Sequence, residues 1–111
     1  MTDIFARLET LIADRRAALG GDPAAADASY AARRLAAGRL KLAEKLGEEA
    51  IETVIAAVAQ DDQALISEAA DLLFHLLLVL GERGIALDAV RAELEKREGI
   101  SGLVEKDGRK P

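Results

Sequence analysis

Helix formers dominate this chain almost everywhere, and that constrains its fold more than any other feature. Alanine, leucine, glutamate, lysine and arginine make up most of it, only two prolines occur, and runs of β-branched or aromatic residues are missing. Every long segment therefore reads as helix, because straight-chain residues lose little side-chain freedom there and nothing favours a pleated surface. The apolar positions Ile4, Leu8, Leu11, Ile12 and Leu19 recur at helical spacing over residues 3–19, and Gly20-Gly21-Asp22-Pro23 should stop that helix. Ser29 is placed to cap a short helix through Leu35, and Gly38 interrupts the pattern before a long helix over 39–59. Asp61-Asp62 marks a turn. A helix over 63–82 should end near Gly84, a short one over 87–97 follows, and the tail after Gly99 reads as weakly ordered. Short connections between these segments predict an all-α, antiparallel bundle of four to five helices forming one domain over 1–111, without internal repeats.

Composition excludes several classes. Half the residues are hydrophobic and 32% are charged, which is wrong for a disordered chain and for a membrane protein. There is no cysteine, so disulfides and thiolate metal sites are impossible. The opening MTDIFARLET carries acid and base early and has no continuous apolar stretch, so no signal peptide is expected and a cytoplasmic location follows by default. A net charge of −5 without a basic patch argues against a nucleic-acid partner. The segment DLLFHLLLVL is apolar almost all round, so a chain of this size would leave part of it wet, which predicts a homodimer through a helical interface.

The helix that carries the charge-rich stretch KLGEEAIE, residues 45–52, gathers Lys45, Glu48, Glu49 and Glu52, with Lys41 one turn earlier, on one side. Leu40, Ile51, Val54, Ile55 and Val58 fall on the other side, the expected core side. Alone, this is a solvated face with i,i+4 ion pairs. On the next helix, however, Glu68 and Asp71 stand three apart, and residues 53–67 suffice for a helix end, a tight turn and a return. Two facing carboxylate pairs repel unless a cation neutralises them, and oxygen-only ligands suit Mg²⁺, or Mn²⁺, the usual partners of phosphate groups. His75, the single histidine, is i+4 from Asp71. Ligand, base and stacking roles are open to it, with a hydrogen-bonded core residue favoured on a helix this rich in leucine. A di-iron bundle is disfavoured because it needs Glu-x-x-His, and no glutamate stands three before His75. A non-enzymatic dimerisation module with surface charges stays as an alternative.

The pattern SYAARRLAAGRLKLAEKLGEEAIE, followed by EAADLLFHLLLVL and GIALDAVRAELEKR, resembles the phosphoribosyl-ATP pyrophosphatases of histidine biosynthesis, within the all-α, MazG-like nucleoside-triphosphate pyrophosphohydrolase group. The resemblance covers about residues 29–97 and includes the group's ExxE and ExxD pairs, Glu49 and Glu52 with Glu68 and Asp71. It implies Mg²⁺-dependent hydrolysis of phosphoribosyl-ATP to phosphoribosyl-AMP and pyrophosphate. Glu49, Glu52, Glu68 and Asp71 would bind metal, and Glu48 or Glu49 would orient or deprotonate the attacking water. Lys45 and Lys41 would meet phosphate oxygens. Ser29 and Tyr30 would contact substrate, although helix capping explains Ser29 equally well. Ala31 stands where the family often carries threonine, which removes a hydroxyl from that position. A sister activity on non-standard or deoxy nucleoside triphosphates would use the same carboxylates and stays open.

Overall fold

The structure, a computed structural model, describes residues 3–98, so the tail expected to be weakly ordered lies outside the described residues. It is helical throughout, with no strand among the described residues. Five α-helices follow one another: α1 (Ile4–Gly21), α2 (Tyr30–Ala37), α3 (Arg39–Ala59), α4 (Asp62–Glu82) and α5 (Leu87–Arg97), with a 3₁₀ segment, Pro23–Ala28, between α1 and α2.

The helix ends are chemically marked. Asp3, Ser29 and Asp61 each accept a hydrogen bond from a backbone N–H of the first turn they precede, at 3.1, 3.1 and 2.9 Å, satisfying donors that have no partner inside the helix. α1 differs from expectation by running through Gly20 and Gly21. Glycine costs a helix about 1 kcal/mol but does not forbid it, and the stop comes at Asp22, which turns extended (φ −152°) ahead of Pro23. The 3₁₀ segment was not expected; the Asp22 carboxylate starts it by accepting from the Ala24 N–H at 3.0 Å. Gly38, at φ +96°, occupies a backbone region closed to most side chains, and this lets α2 pass directly into α3. The residue before α5 is Ala86, which has no capping side chain. Glu9 of α1 supplies the acceptor instead, taking the Leu87 N–H at 2.6 Å.

α3 and α4 form an antiparallel hairpin, and at its open end Arg39, the first residue of α3, is bound to Glu82, the last of α4. The Arg39 guanidinium donates to both Glu82 oxygens, at 2.6, 3.0 and 3.3 Å, and this holds the Glu82 carboxyl below its ordinary value and the guanidinium above its own. α1 and α2 lie across α4 and bury Ile12, Ala31, Leu35, Leu42, Leu77 and Leu78 between them. Ile12 and Leu78 are the largest fully buried side chains, each contributing about 1.5–3 kcal/mol by leaving water. α1 approaches α4 so closely at Gly81 that a Cβ there would stand 2.6 Å from Ile12 Cγ2.

The core side of α3 is the reverse of the expected one. Leu40, Ile51, Val54, Ile55 and Val58, expected inside, are exposed, Val58 at 83% and Ile51 at 63%. Glu49, expected on the solvated side, is 5% exposed. The hairpin turns Glu49 inward, next to Glu68 on its one long neighbour, and the aliphatic stripe outward, while Glu48, Glu52 and Asp71 stay exposed. Within DLLFHLLLVL, His75, Leu77 and Leu78 are buried and only Leu73 of the apolar residues is exposed, so the wet apolar surface lies mainly on α3. α4 is long and apolar enough to cross a membrane by length and composition, but it packs here against α1, α2 and α3.

Candidate metal centre between two helices

The site follows from the hairpin's register. Glu49 on α3 and Glu68 and Asp71 on α4 bring one carboxylate oxygen each to within 4.8 Å of one another. Glu49 is buried, Glu68 half-buried and Asp71 exposed, so the cluster opens to solvent on one side. Glu49 Oε2 and Glu68 Oε2 are both buried and accept no hydrogen bond among the described residues. A buried carboxylate oxygen without a partner is costly, and two facing each other more so. A hard divalent cation is the ligand this donor set fits: three anionic oxygens, no sulfur and no nitrogen in the cluster, and an open side for water or phosphate.

Among the described residues, Lys45 is the cation paired with the cluster. Lys45 Nζ lies 3.4 Å from Glu49 Oε1, one helical turn earlier on α3. This interaction raises the ammonium's pKa, partly opposed by burial. Lys45 thus stays charged beside the cluster.

Two further contacts set the backbone behind the carboxylates. His75 Nδ1 lies 2.7 Å from the Asp71 carbonyl, and its Nε2 lies 2.9 Å from the Tyr30 hydroxyl. A carbonyl only accepts, so Nδ1 carries the hydrogen and the Tyr30 hydroxyl donates to Nε2 in the neutral ring. His75 is 5% exposed and meets Phe74 and Tyr30 edge-on. It is a hydrogen-bonded core residue that ties α2 to the Asp71 segment. Thr53 Oγ1, between the two helices, reaches both the Glu49 and Glu68 carbonyls.

The other sequence-derived candidates take different places. Glu52 is exposed and outside the three-carboxylate cluster, and it shares with Glu68, Ile55 and Gln60 the wall of a hollow of about 150 Å³. Glu48 is exposed on α3. Lys41 is exposed and pairs with Glu44 at 3.5 Å, in the surface ion-pair role weighed for it. Ser29 caps α2 with its side chain. Tyr30 joins the His75 contact, and its ring lies beneath the Arg34 guanidinium at 5.7 Å. Arg34 was not singled out from the sequence; its position four after Tyr30 was the available signal. A larger groove of about 640 Å³, between α1 and the α4–α5 turn, holds none of these residues.

Residues 6–98 match the family described as phosphoribosyl-ATP pyrophosphohydrolase. A phosphoribosyl-ATP pyrophosphatase of Sphingopyxis alaskensis is 55% identical over 98% of this chain and 95% of its own length. One from Erythrobacter litoralis is 58% identical over 90% of each chain, and one from Dinoroseobacter shibae 54% identical over 96% of this chain and 98% of its own.

The donor set makes a thermal prediction. Mg²⁺ or Mn²⁺ at about a hundred times its dissociation constant adds about 2.7 kcal/mol of stability, or on the order of 10 °C in melting temperature. Glu68→Gln removes a buried charge that lacks a partner. It should therefore melt at or above the wild-type temperature without metal, and lose most of the metal-dependent rise. Equal metal-dependent rises in the two proteins would contradict the site.

Proposed function

The chain belongs to the phosphoribosyl-ATP pyrophosphohydrolase family, and we propose that it hydrolyses phosphoribosyl-ATP with a divalent cation, Mg²⁺ or alternatively Mn²⁺, held by Glu49, Glu68 and Asp71. It is a hydrolase of histidine biosynthesis, and its products are phosphoribosyl-AMP and pyrophosphate. The observation that carries the cation is the pair of buried, partnerless oxygens on Glu49 and Glu68. A cation bound there would neutralise the triphosphate and polarise its phosphoryl oxygens. Glu52, one turn beyond Glu49 and beside Glu68 in the wall of the same hollow, is the fourth carboxylate of the set. Family membership over residues 6–98 supports a single catalytic domain, and a cytoplasmic location remains our reading for an enzyme of this pathway.

The chain's own groups then have distinct tasks. Glu49 stands among the converging carboxylates and Glu48 is exposed beside it on α3; one of the two orients the attacking water and accepts its proton. Lys45 meets phosphate oxygens and steadies the leaving pyrophosphate. Lys41, already paired with Glu44 on the surface, assists from outside. Ser29 and Tyr30 are assigned to substrate contact, a reading supported for Tyr30 by its partly exposed ring with Arg34 over it. Water adds either to the α-phosphorus, with pyrophosphate leaving, or to the β-phosphorus, with phosphoribosyl-AMP leaving; in both cases the α–β bridge breaks and pyrophosphate is released intact. Phosphorus NMR in ¹⁸O-labelled water, with no other pyrophosphatase present, should show phosphoribosyl-AMP and pyrophosphate as first products, and turnover of ATP and deoxynucleotides should be far slower. Early orthophosphate with a diphosphate would overturn the assignment, and faster turnover of deoxynucleotides would favour the sister activity.

We also propose that the active form is a homodimer. Ile51, Val54, Ile55 and Val58 recur at i, i+3, i+4 and i+7, the spacing of one continuous helical stripe, and Ile66 on α4 is exposed as well. A radius of gyration of 16.3 Å, against about 13 Å for a compact domain of this length, fits a subunit whose core is completed by a second copy. Val54→Asp with Ile55→Asp should convert a dimer to a monomer in light scattering at micromolar concentration. A wild-type monomer under those conditions would contradict the proposal.

A further inference from the structure

One hydroxyl bridges the backbones of the two carboxylate-bearing helices. Thr53 follows Glu49 by one turn, and its Oγ1–H donates to the Glu49 carbonyl at 2.8 Å. That contact is ordinary for threonine inside a helix. The second is not: the same oxygen lies 3.2 Å from the Glu68 carbonyl, on the facing helix. A hydroxyl has one hydrogen, so the two carbonyls share it as a three-centre bond. The residues whose carbonyls it joins are the two that supply the buried, partnerless carboxylate oxygens. Thr53 is half-buried and three residues short of Ala56, which is almost fully buried, so its hydroxyl is held in the interface rather than in bulk water.

From this we infer that Thr53 is a positioning residue for the cation site, locking α3 against α4 at the height where Glu49 and Glu68 project toward each other. The inference rests on the cation site proposed above. Mg²⁺ demands near-ideal octahedral ligands at about 2.0–2.1 Å, so a slip of a fraction of an ångström between the helices is felt at the metal. The carboxylates themselves repel one another and push the hairpin apart at this level. A hydroxyl bound to both backbones opposes that. Apolar packing alone would resist separation but not sliding, because aliphatic contacts have no direction.

Electron paramagnetic resonance of Mn²⁺ added to the substrate-free protein reads the site without turnover. Removal of groups that orient metal ligands costs about 10–100-fold in affinity. Thr53→Val should accordingly bind Mn²⁺ on the order of tenfold more weakly, with far-ultraviolet circular dichroism and metal-free melting close to wild type. Thr53→Ser keeps the hydroxyl and should bind within about twofold of wild type, a rescue that packing alone would not give. Thr53→Ala provides the same reading if the valine variant does not fold. Wild-type affinity in Thr53→Val or Thr53→Ala would overturn the inference while leaving the cation site intact, and so would a loss in Thr53→Ser as large as that in valine. No Mn²⁺ binding by the wild-type protein would overturn the site and the role of Thr53 with it.

Discussion

Three carboxylates brought into one helix interface govern the rest of this molecule. Two unit charges 4.8 Å apart, the outer limit for the closest oxygens of Glu49, Glu68 and Asp71, repel by roughly 3 to 4 kcal/mol at an effective dielectric near 20. Lys45 offsets part of this at Glu49, but one ammonium cannot balance three carboxylates. The hairpin therefore meets with a deficit of positive charge, and the fold invests several neutral devices in holding it together. Thr53 ties the two backbones, His75 fixes the Asp71 segment to α2 through Tyr30, and the exposed Arg39–Glu82 pair joins the far ends. An exposed pair of this kind contributes little stability by itself. Its place at the end of the hairpin makes it a marker of register more than a source of energy.

Turning Glu49 inward has a second consequence. A helix has two faces, and α3 gives one to the interface with α4 that holds Glu49, so its aliphatic stripe is left outside. Such a surface on a separate subunit asks for a cover, and a second copy offers the same stripe by symmetry. In the proposed scheme, catalysis and assembly would draw on opposite sides of a single helix. α4 is more economical with its surface, because α1 and α2 cover much of its apolar side and Gly81 lets α1 settle against it at Ile12.

Much of this was legible from residue types and spacing. Ser29 and Gly38 bounded α2, and the end of α4 near Gly84 was read from glycine chemistry, since capping oxygens and positive φ have few substitutes. The acidic pairs on successive helices pointed to the site before any geometry was available. What stayed hidden depended on distance across the fold. Helical periodicity separates the charged and aliphatic faces of α3, yet it does not say which one faces inward when the neighbouring helix is itself acidic, and the usual preference for aliphatic cores gave the reverse answer. Spacing grouped Glu52 with Glu49, while the hairpin's rotation places only Glu49 with Glu68 and Asp71. The 3₁₀ segment after Pro23 is too short for periodicity to reveal it. The second bond of Thr53 joins residues on different helices, and no local pattern carries that information.

The central claim is that the partnerless oxygens of Glu49 and Glu68 are ligands awaiting a hard cation. Anomalous scattering from a crystal equilibrated with Mn²⁺ tests it most directly, since it locates the ion independently of activity. The account predicts a strong peak between α3 and α4 within bonding distance of Glu49, Glu68 and Asp71. A fully hydrated cluster with no peak there, or manganese bound only elsewhere on the molecule, would contradict it.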